Sequence, residues 1–172
     1  MDETSSTSSG TNSAYDPTAT KIPPVNGLNV PPPLLALACL AGGLILHILF
    51  TSEREVFAHH VIGLLLVAAG VGLSFYAAGN FDGRRTTKNP QGDATTFVTV
   101  APYTFTRNPM YLGLTIVLFG FAVFFASVVM ILAPVAFVVM IDRMVIPREE
   151  ANLERLFGPS YVEYKLRVRR WI

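Results

Sequence analysis

Charge is what this sequence has least of. Asp, Glu, Lys and Arg make up 15% of its 172 residues, against about 25% in an ordinary globular domain. Thirteen Lys/Arg against twelve Asp/Glu leave a net charge of +1, which gives no reason to expect nucleic acid or another polyanion as partner. Cysteine is almost absent too. Cys39 stands alone, so no intramolecular disulfide can form and a disulfide-stapled secreted scaffold is excluded. Metal-ligand spacing is missing: His47, His59 and His60 make no H-x3-H pattern and have no cysteine in reach, so helix-packing or interfacial roles are expected for them and no metal. Gly70-Val-Gly72 sits inside an apolar run with no strand before it, which excludes a dinucleotide fingerprint.

The missing charge is missing in blocks. Residues 22–52, 56–81 and 108–141 contain no Asp, Glu, Lys or Arg, over 31, 26 and 34 residues. A bilayer-spanning helix needs about 20 mostly apolar residues. The first block holds one span at 34–50 after Pro31-Pro32-Pro33, and the second holds another at 57–79. A single rod through the third would be roughly 51 Å long, against a hydrocarbon core of about 30 Å. It therefore reads as a tight hairpin: 111–125, a turn near Ala126-Ser127, and 128–145. Soluble helices keep a polar stripe, and these do not. The expected fold is all-α: a polytopic membrane protein with four transmembrane helices, the last two a tight hairpin, and short cytoplasmic C-terminal helices. Ala38/Gly42 and Ala68/Gly72 are small-xxx-small pairs suited to helix packing.

Residues 1–32 are rich in Ser, Thr, Asn, Gly and Pro, a composition that cannot bury enough surface to offset its ordering entropy. They are expected to form a disordered tail before a single domain at 33–172. No basic region precedes the first apolar run, which argues against a cleaved signal peptide. Eleven of the thirteen basic residues lie between the second span and the hairpin or after the hairpin. Four spans put both regions on the side of the termini, which the positive-inside rule makes cytoplasmic. Polar chemistry is expected there.

Two segments could carry it. Asn108-Pro109 marks the start of the third span, because the residue before a proline disfavours the α region and proline suits a first turn. Arg107 then stands beside a helix N-terminus, where anions are favoured, or else snorkels to lipid headgroups. After Asp142-Arg143, Pro147 kinks or restarts the helix. The stretch 148–157 reads as a short amphipathic helix with Leu153, Leu156 and Phe157 on one face and Gly158 at its C′ position. Ser160 and Glu163 make a capping-box pattern opening a last helix, with Tyr161, Tyr164 and Val168 on a shared face. The basic end with Trp171 suits a headgroup-level anchor. Glu149 and Glu150 are also ordinary for the first turn of a helix.

The run Val98-Thr-Val-Ala-Pro-Tyr-Thr-Phe-Thr-Arg-Asn-Pro-Met-Tyr-Leu-Gly113 resembles the signature of the isoprenylcysteine carboxyl methyltransferases and their bacterial relatives. A two-span hairpin follows it, then Arg143 and Arg148-Glu-Glu-x-x-Leu153-x-x-x-Phe157-Gly158-x-x-Tyr161-x-x-Tyr164, in that family's order. Phospholipid N-methyltransferases share the Arg-x-Pro and Glu-Glu elements more loosely. The likeness covers roughly residues 80–171, about half of the chain.

The resemblance implies an integral-membrane enzyme, of the bacterial inner membrane for a bacterial-type member. It would transfer the methyl of S-adenosylmethionine (SAM) to a lipophilic or lipidated substrate. Segments 88–111 and 143–168 would form the cofactor pocket in place of a Rossmann domain. By position, Thr95, Thr96, Phe97, Val98 and Tyr103 would line the cofactor, and Asn108, Pro109, Met110 and Tyr111 would continue that wall. Lys88 would add a polar contact, and Glu149 would meet the methionine end. Arg107 and Arg143 match arginines near the reacting groups, and Arg148 and Glu150 complete the catalytic candidates. Asn108 replaces the His of the eukaryotic enzymes, Ala101 replaces a usual Gly, and the spans are fewer.

The chemistry suits these residues. The SAM ammonium needs a carboxylate, Glu149 or Glu150; a substrate carboxylate needs an arginine fork, Arg107, Arg143 or Arg148. Phe97, Tyr103 and Tyr111 can cover an adenine. Carboxyl O-methylation of an isoprenylcysteine type stands first. Lipid N-methylation is the alternative, in which Glu150 would accept a proton. An NADPH-dependent membrane reductase and a non-enzymatic scaffold remain further alternatives. Nothing in the sequence marks an oligomeric state.

Overall fold

A computed structural model describes residues 30–51, 57–82 and 101–172. Residues 1–29 of the N-terminal tail, and the candidates Lys88, Thr95, Thr96, Phe97 and Val98, lie outside the described residues. Helix α1, Pro32–Phe50, opens on proline, whose fixed φ and missing N–H suit a first turn. It stops where Thr51 turns extended and returns its N–H to the His47 carbonyl at 2.9 Å. Helix α2 runs over Phe57–Asp82, three residues beyond the expected span. Helix α3, Pro109–Phe124, again begins on proline.

The chain then turns sharply at Ala126, which takes φ 46, and a 3-10 turn at Val129–Ile131 starts the return. Thus the hairpin and the position of its turn agree with expectation. The return leg is longer than expected. Helix α4 (Leu132–Met140), a π turn at Ile141–Val145 and helix α5 (Ile146–Phe157) join into one helix of 29 residues, Val129–Phe157. Pro147 is expected to kink or restart the helix, and α5 does restart at Ile146 with the proline in its first turn, while the rod stays continuous. The π turn lies just before the proline and contains Arg143, the residue whose carbonyl the proline nitrogen cannot pair. The helix stops at Gly158, whose φ of 52 with ψ −131 is open only to glycine. Helix α6, Pro159–Arg167, follows directly. The Ser160/Glu163 capping box does not form. Gly158 takes the N-cap position two residues earlier, with no side-chain cap, and Glu163 reaches forward to Arg167.

Among the described residues, three helices are long and apolar enough to cross a membrane: Pro32–Phe50, His59–Asn80 and Val129–Phe157. The apolar α3, with 16 residues, is shorter, about 24 Å. Only 11% and 17% of the α1 and α2 windows are buried within the protein. Leu37, Ile45, Ile48, Leu65, Phe75 and Val135 all face outward. A contiguous apolar surface of this kind suits hydrocarbon and not water.

With lipid on the outside, burial alone does little to hold helices together, and close packing does the work. Helices α2 and α3 run antiparallel, in contact through glycines seven residues apart: Gly63 and Gly70 on one, Gly113 and Gly120 on the other. A Cβ on Gly70 would fall 2.6 Å from the Gly113 carbonyl oxygen, and one on Gly63 would fall 2.5 Å from the Phe124 nitrogen. Seven-residue spacing keeps a stripe facing its partner along a shallow crossing. The pairs expected from sequence are not the contacts: among the described residues a Cβ on Gly42 or Gly72 meets nothing within 4 Å, and Ala38 and Ala68 are exposed. Spacing of four offered short-range pairs, whereas the packed seam follows seven. On the other side of α3, Tyr111, Leu118, Phe137, Ile141 and Ile146 form a core with Ala36 of α1. Trp171 packs against this core as well.

Candidate active site

The polar residues gather where the N-terminus of α3, the π turn, α5 and the C-terminal end meet. Pro109 starts α3, and although the Asn108 carbonyl accepts the first bond of the ladder from Leu112 at 3.0 Å, the N–H groups and side chains of the two residues before the proline must be held otherwise. The C-terminal segment holds them. Arg107 donates its backbone N–H to the Arg169 carbonyl at 3.0 Å. The Arg170 carbonyl accepts from the Thr106 hydroxyl at 3.1 Å and from Asn108 Nδ2 at 3.0 Å. Asn108 therefore does not cap α3 with its side chain; its amide binds the chain end.

This fixes Arg107 over α5. Its side chain is 11% exposed, and Nη1 lies 3.3 Å from Glu150 Oε1. That is close enough for an ion pair but out of line for a hydrogen bond. Nε and Nη1 are both buried without a hydrogen-bond acceptor among the described residues. Glu150 is better served by Arg170, which donates from Nη2 at 2.7 Å and from Nε at 3.3 Å, one bond to each carboxylate oxygen. The hydrogen bond to Glu150 raises the already high pKa of Arg170. Arg170 also donates to Asp142 Oδ1 at 3.3 Å, and the same oxygen accepts the Trp171 indole N–H at 3.0 Å. Two guanidiniums and two carboxylates balance each other. Beneath them Tyr161 is 2% exposed, and burial first, then the Glu150 charge, pushes its phenol up.

Glu149 points elsewhere. Adjacent residues on a helix diverge by about 100°, so Glu150 is buried while Glu149 is exposed. Its Oε1 accepts the Tyr111 hydroxyl at 2.5 Å, and Tyr111 stands on the first turn of α3. That bond leaves Oε2 without a hydrogen-bond donor among the described residues. A carboxylate oriented by one donor and open on its other oxygen can hold an ammonium.

The structure thus brings Arg107, Asn108, Pro109, Tyr111, Glu149 and Glu150 together. Met110 joins α3 to α2, its carbonyl accepting from Ser74 Oγ at 3.2 Å. Tyr103 is buried, donating to the Ala77 carbonyl at 3.2 Å while its own carbonyl accepts from Tyr164. Its loop is further tied to α2 by Asn80 Nδ2, which reaches the Ala101 carbonyl at 3.3 Å. Arg143 is exposed on the π turn, and Arg148 is half-buried on α5. The face of Tyr161, Tyr164 and Val168 is buried as expected, with Leu153 and Phe157 against it; Leu156 is exposed. Asp142, Arg170 and Trp171 escaped sequence reasoning. Their signal was an indole and a guanidinium beside each other near the chain end, a pattern shared with ordinary membrane anchors. Among the described residues no group of three His, Cys, Asp or Glu could hold a metal.

Over 63 residues, 37% of this chain, the sequence is 36% identical to an uncharacterized protein of Haemophilus influenzae along that protein's whole length. No solved structure matches the chain significantly. The family model described as phospholipid methyltransferase matches residues 58–160, from the start of α2 through α3 and the hairpin into α6. That span contains Arg107, Tyr111, Glu149 and Glu150, and the chain belongs to the phospholipid methyltransferase family.

Proposed function

We propose that the protein is a SAM-dependent methyltransferase of the bacterial inner membrane, acting on a lipophilic molecule that presents an anionic group to Arg107. One observation carries this: a buried guanidinium with two nitrogens lacking hydrogen-bond acceptors among the described residues, at the N-terminus of an apolar helix, inside a methyltransferase family match. Buried donors left unfilled are costly, and an anion on a lipid would fill them.

Residues 33–172 act as one domain with four crossings. In this topology α3, at about 24 Å, spans a locally thinned bilayer. Both termini face the cytoplasm, where the basic residues gather. The residues present fit SAM. Glu149, oriented by Tyr111, would take the ammonium of its methionine end, and Lys88, Thr95, Thr96, Phe97, Val98 and Tyr103 would supply the remaining contacts that the family resemblance assigns to them. Bound SAM supplies an electrophilic methyl on a sulfonium sulfur. Arg107 orients the acceptor, with Arg143 and Arg148 lining its approach, and the apolar helices let it arrive sideways from the bilayer. Holding both partners in line is the main demand of such a displacement.

Carboxyl O-methylation of the isoprenylcysteine type is our first choice. A carboxylate acceptor would have no proton to lose: its O–CH3 bond would form as the S–CH3 bond breaks, with S-adenosylhomocysteine as the leaving group. An amine must shed a proton, and Glu150, the base offered by the sequence, is already held by two guanidiniums. The family match favours a second reading, in which Arg107 binds a lipid phosphate and the headgroup amine is methylated. Membranes containing the protein are incubated with methyl-labelled SAM, and the lipid product is treated with base. We expect label in a base-labile ester, lost in Arg107→Ala. Base-stable label would shift the assignment to N-methylation, and unlabelled lipid would refute both.

A further inference from the structure

The C-terminal strap lies beyond residues 58–160, where the family match ends, yet it enters the charged cluster. Val168 is extended, with φ −117 and ψ 130. The next two carbonyls are tied to the loop before α3 by Arg107 N–H, Thr106 Oγ1 and Asn108 Nδ2. None of these bonds involves the Arg170 side chain, so the strap stays seated without it. What that side chain does is take Glu150. Its bond from Nη2, 2.7 Å, is of charge-assisted length, while Arg107 is left at 3.3 Å and out of line.

We propose that Arg170 is a positioning residue: by holding Glu150 in a two-point ion pair, it keeps the Arg107 guanidinium available to an anionic group on the acceptor. This rests on the role given to Arg107 above. Glu150 is 10% exposed, and a buried carboxylate deprived of one counter-charge turns to any other within reach. Arg107 is that other. Without Arg170, the carboxylate aligns on Arg107 and competes with the acceptor's anion. Loss of Arg170 is therefore harmful only while Glu150 keeps its charge.

Trp171, the single tryptophan of the chain, provides the readout, since its indole binds the same Asp142 as Arg170. Full-length protein in dodecyl maltoside is titrated with dodecyl phosphate, which adds an anion to a chain of the detergent's own length, and Trp171 fluorescence is followed. We expect Arg170→Ala to weaken binding at least tenfold and Arg170→Lys to weaken it less. The double variant Glu150→Gln/Arg170→Ala should return to within threefold of wild type. A merely structural Arg170 would leave the double variant as weak as Arg170→Ala, and that result overturns the proposal. So does wild-type binding in Arg170→Ala, or a wild type without saturable binding. S-adenosylhomocysteine titrated in parallel separates the two claims: dodecyl phosphate binding that follows this pattern, in a protein without affinity for S-adenosylhomocysteine, refutes the methyltransferase and leaves the role of Arg170 standing.

Discussion

Gly113→Ala tests the seam that holds the site in place. The added Cβ would lie 2.3 Å from Ser74 Oγ, 2.6 Å from the Gly70 carbonyl oxygen and 2.9 Å from the Ser74 backbone nitrogen. The hydroxyl can rotate away, but the two backbone atoms cannot. Ordinary contact begins at 3.4 Å, so α2 and α3 must part by about 0.8 Å at this level. A gap of about 0.5–1 Å already forfeits a quarter to a half of a dispersion contact, and this seam depends on such contacts. Overpacking of this kind costs about 1–3 kcal/mol. At about 2–4 °C per kcal/mol for a chain of this length, the midpoint should fall by roughly 2–12 °C, read from Trp171 fluorescence in detergent. The same shift moves the start of α3, with Arg107 and Tyr111, against α5, so methyl transfer should fall as well. Gly72→Ala, whose Cβ meets nothing within 4 Å among the described residues, is the control and should melt within about 1–2 °C of wild type, on the scale of surface substitutions. Equal melting of the two variants would refute the seam.

Two further substitutions probe the turn and the carboxylate. Gly158→Ala forces a side chain into φ 52, ψ −131 between α5 and α6; strain of this kind costs about 1–3 kcal/mol, and thermal melting should show it. Tyr111→Phe removes the hydroxyl that orients Glu149. A hydrogen bond to a charged group contributes about 1.5–3 kcal/mol, and calorimetry with S-adenosylhomocysteine should show affinity falling roughly tenfold or more.

The long elements were legible because their physics is local. Blocks without charge placed α1, α2, α3 and the hairpin turn to within a few residues, though not the end of the return leg, and a proline set the start of both α1 and α3. The motif residues Arg107, Asn108, Tyr111, Glu149 and Glu150 likewise meet in space. What stayed hidden depends on partners distant in sequence. Gly70 and Gly113 are set in contact by an antiparallel crossing that no single helix reveals. Asn108 binds the Arg170 carbonyl 62 positions away, and Trp171 reaches Asp142 across 29. Composition near the chain end pointed to an anchor, and only the fold turns it into a strap. Glu149 and Glu150 look alike in sequence, yet one helical step exposes the first and buries the second between two arginines.

Calorimetric binding of S-adenosylhomocysteine to the detergent-purified protein, wild type against Glu149→Gln, tests the central claim most directly. We expect micromolar affinity in the wild type and a loss of at least tenfold, about 1.4 kcal/mol, in the variant. An absence of binding at millimolar ligand would contradict the methyltransferase assignment, and equal affinity in both proteins would contradict the role of Glu149.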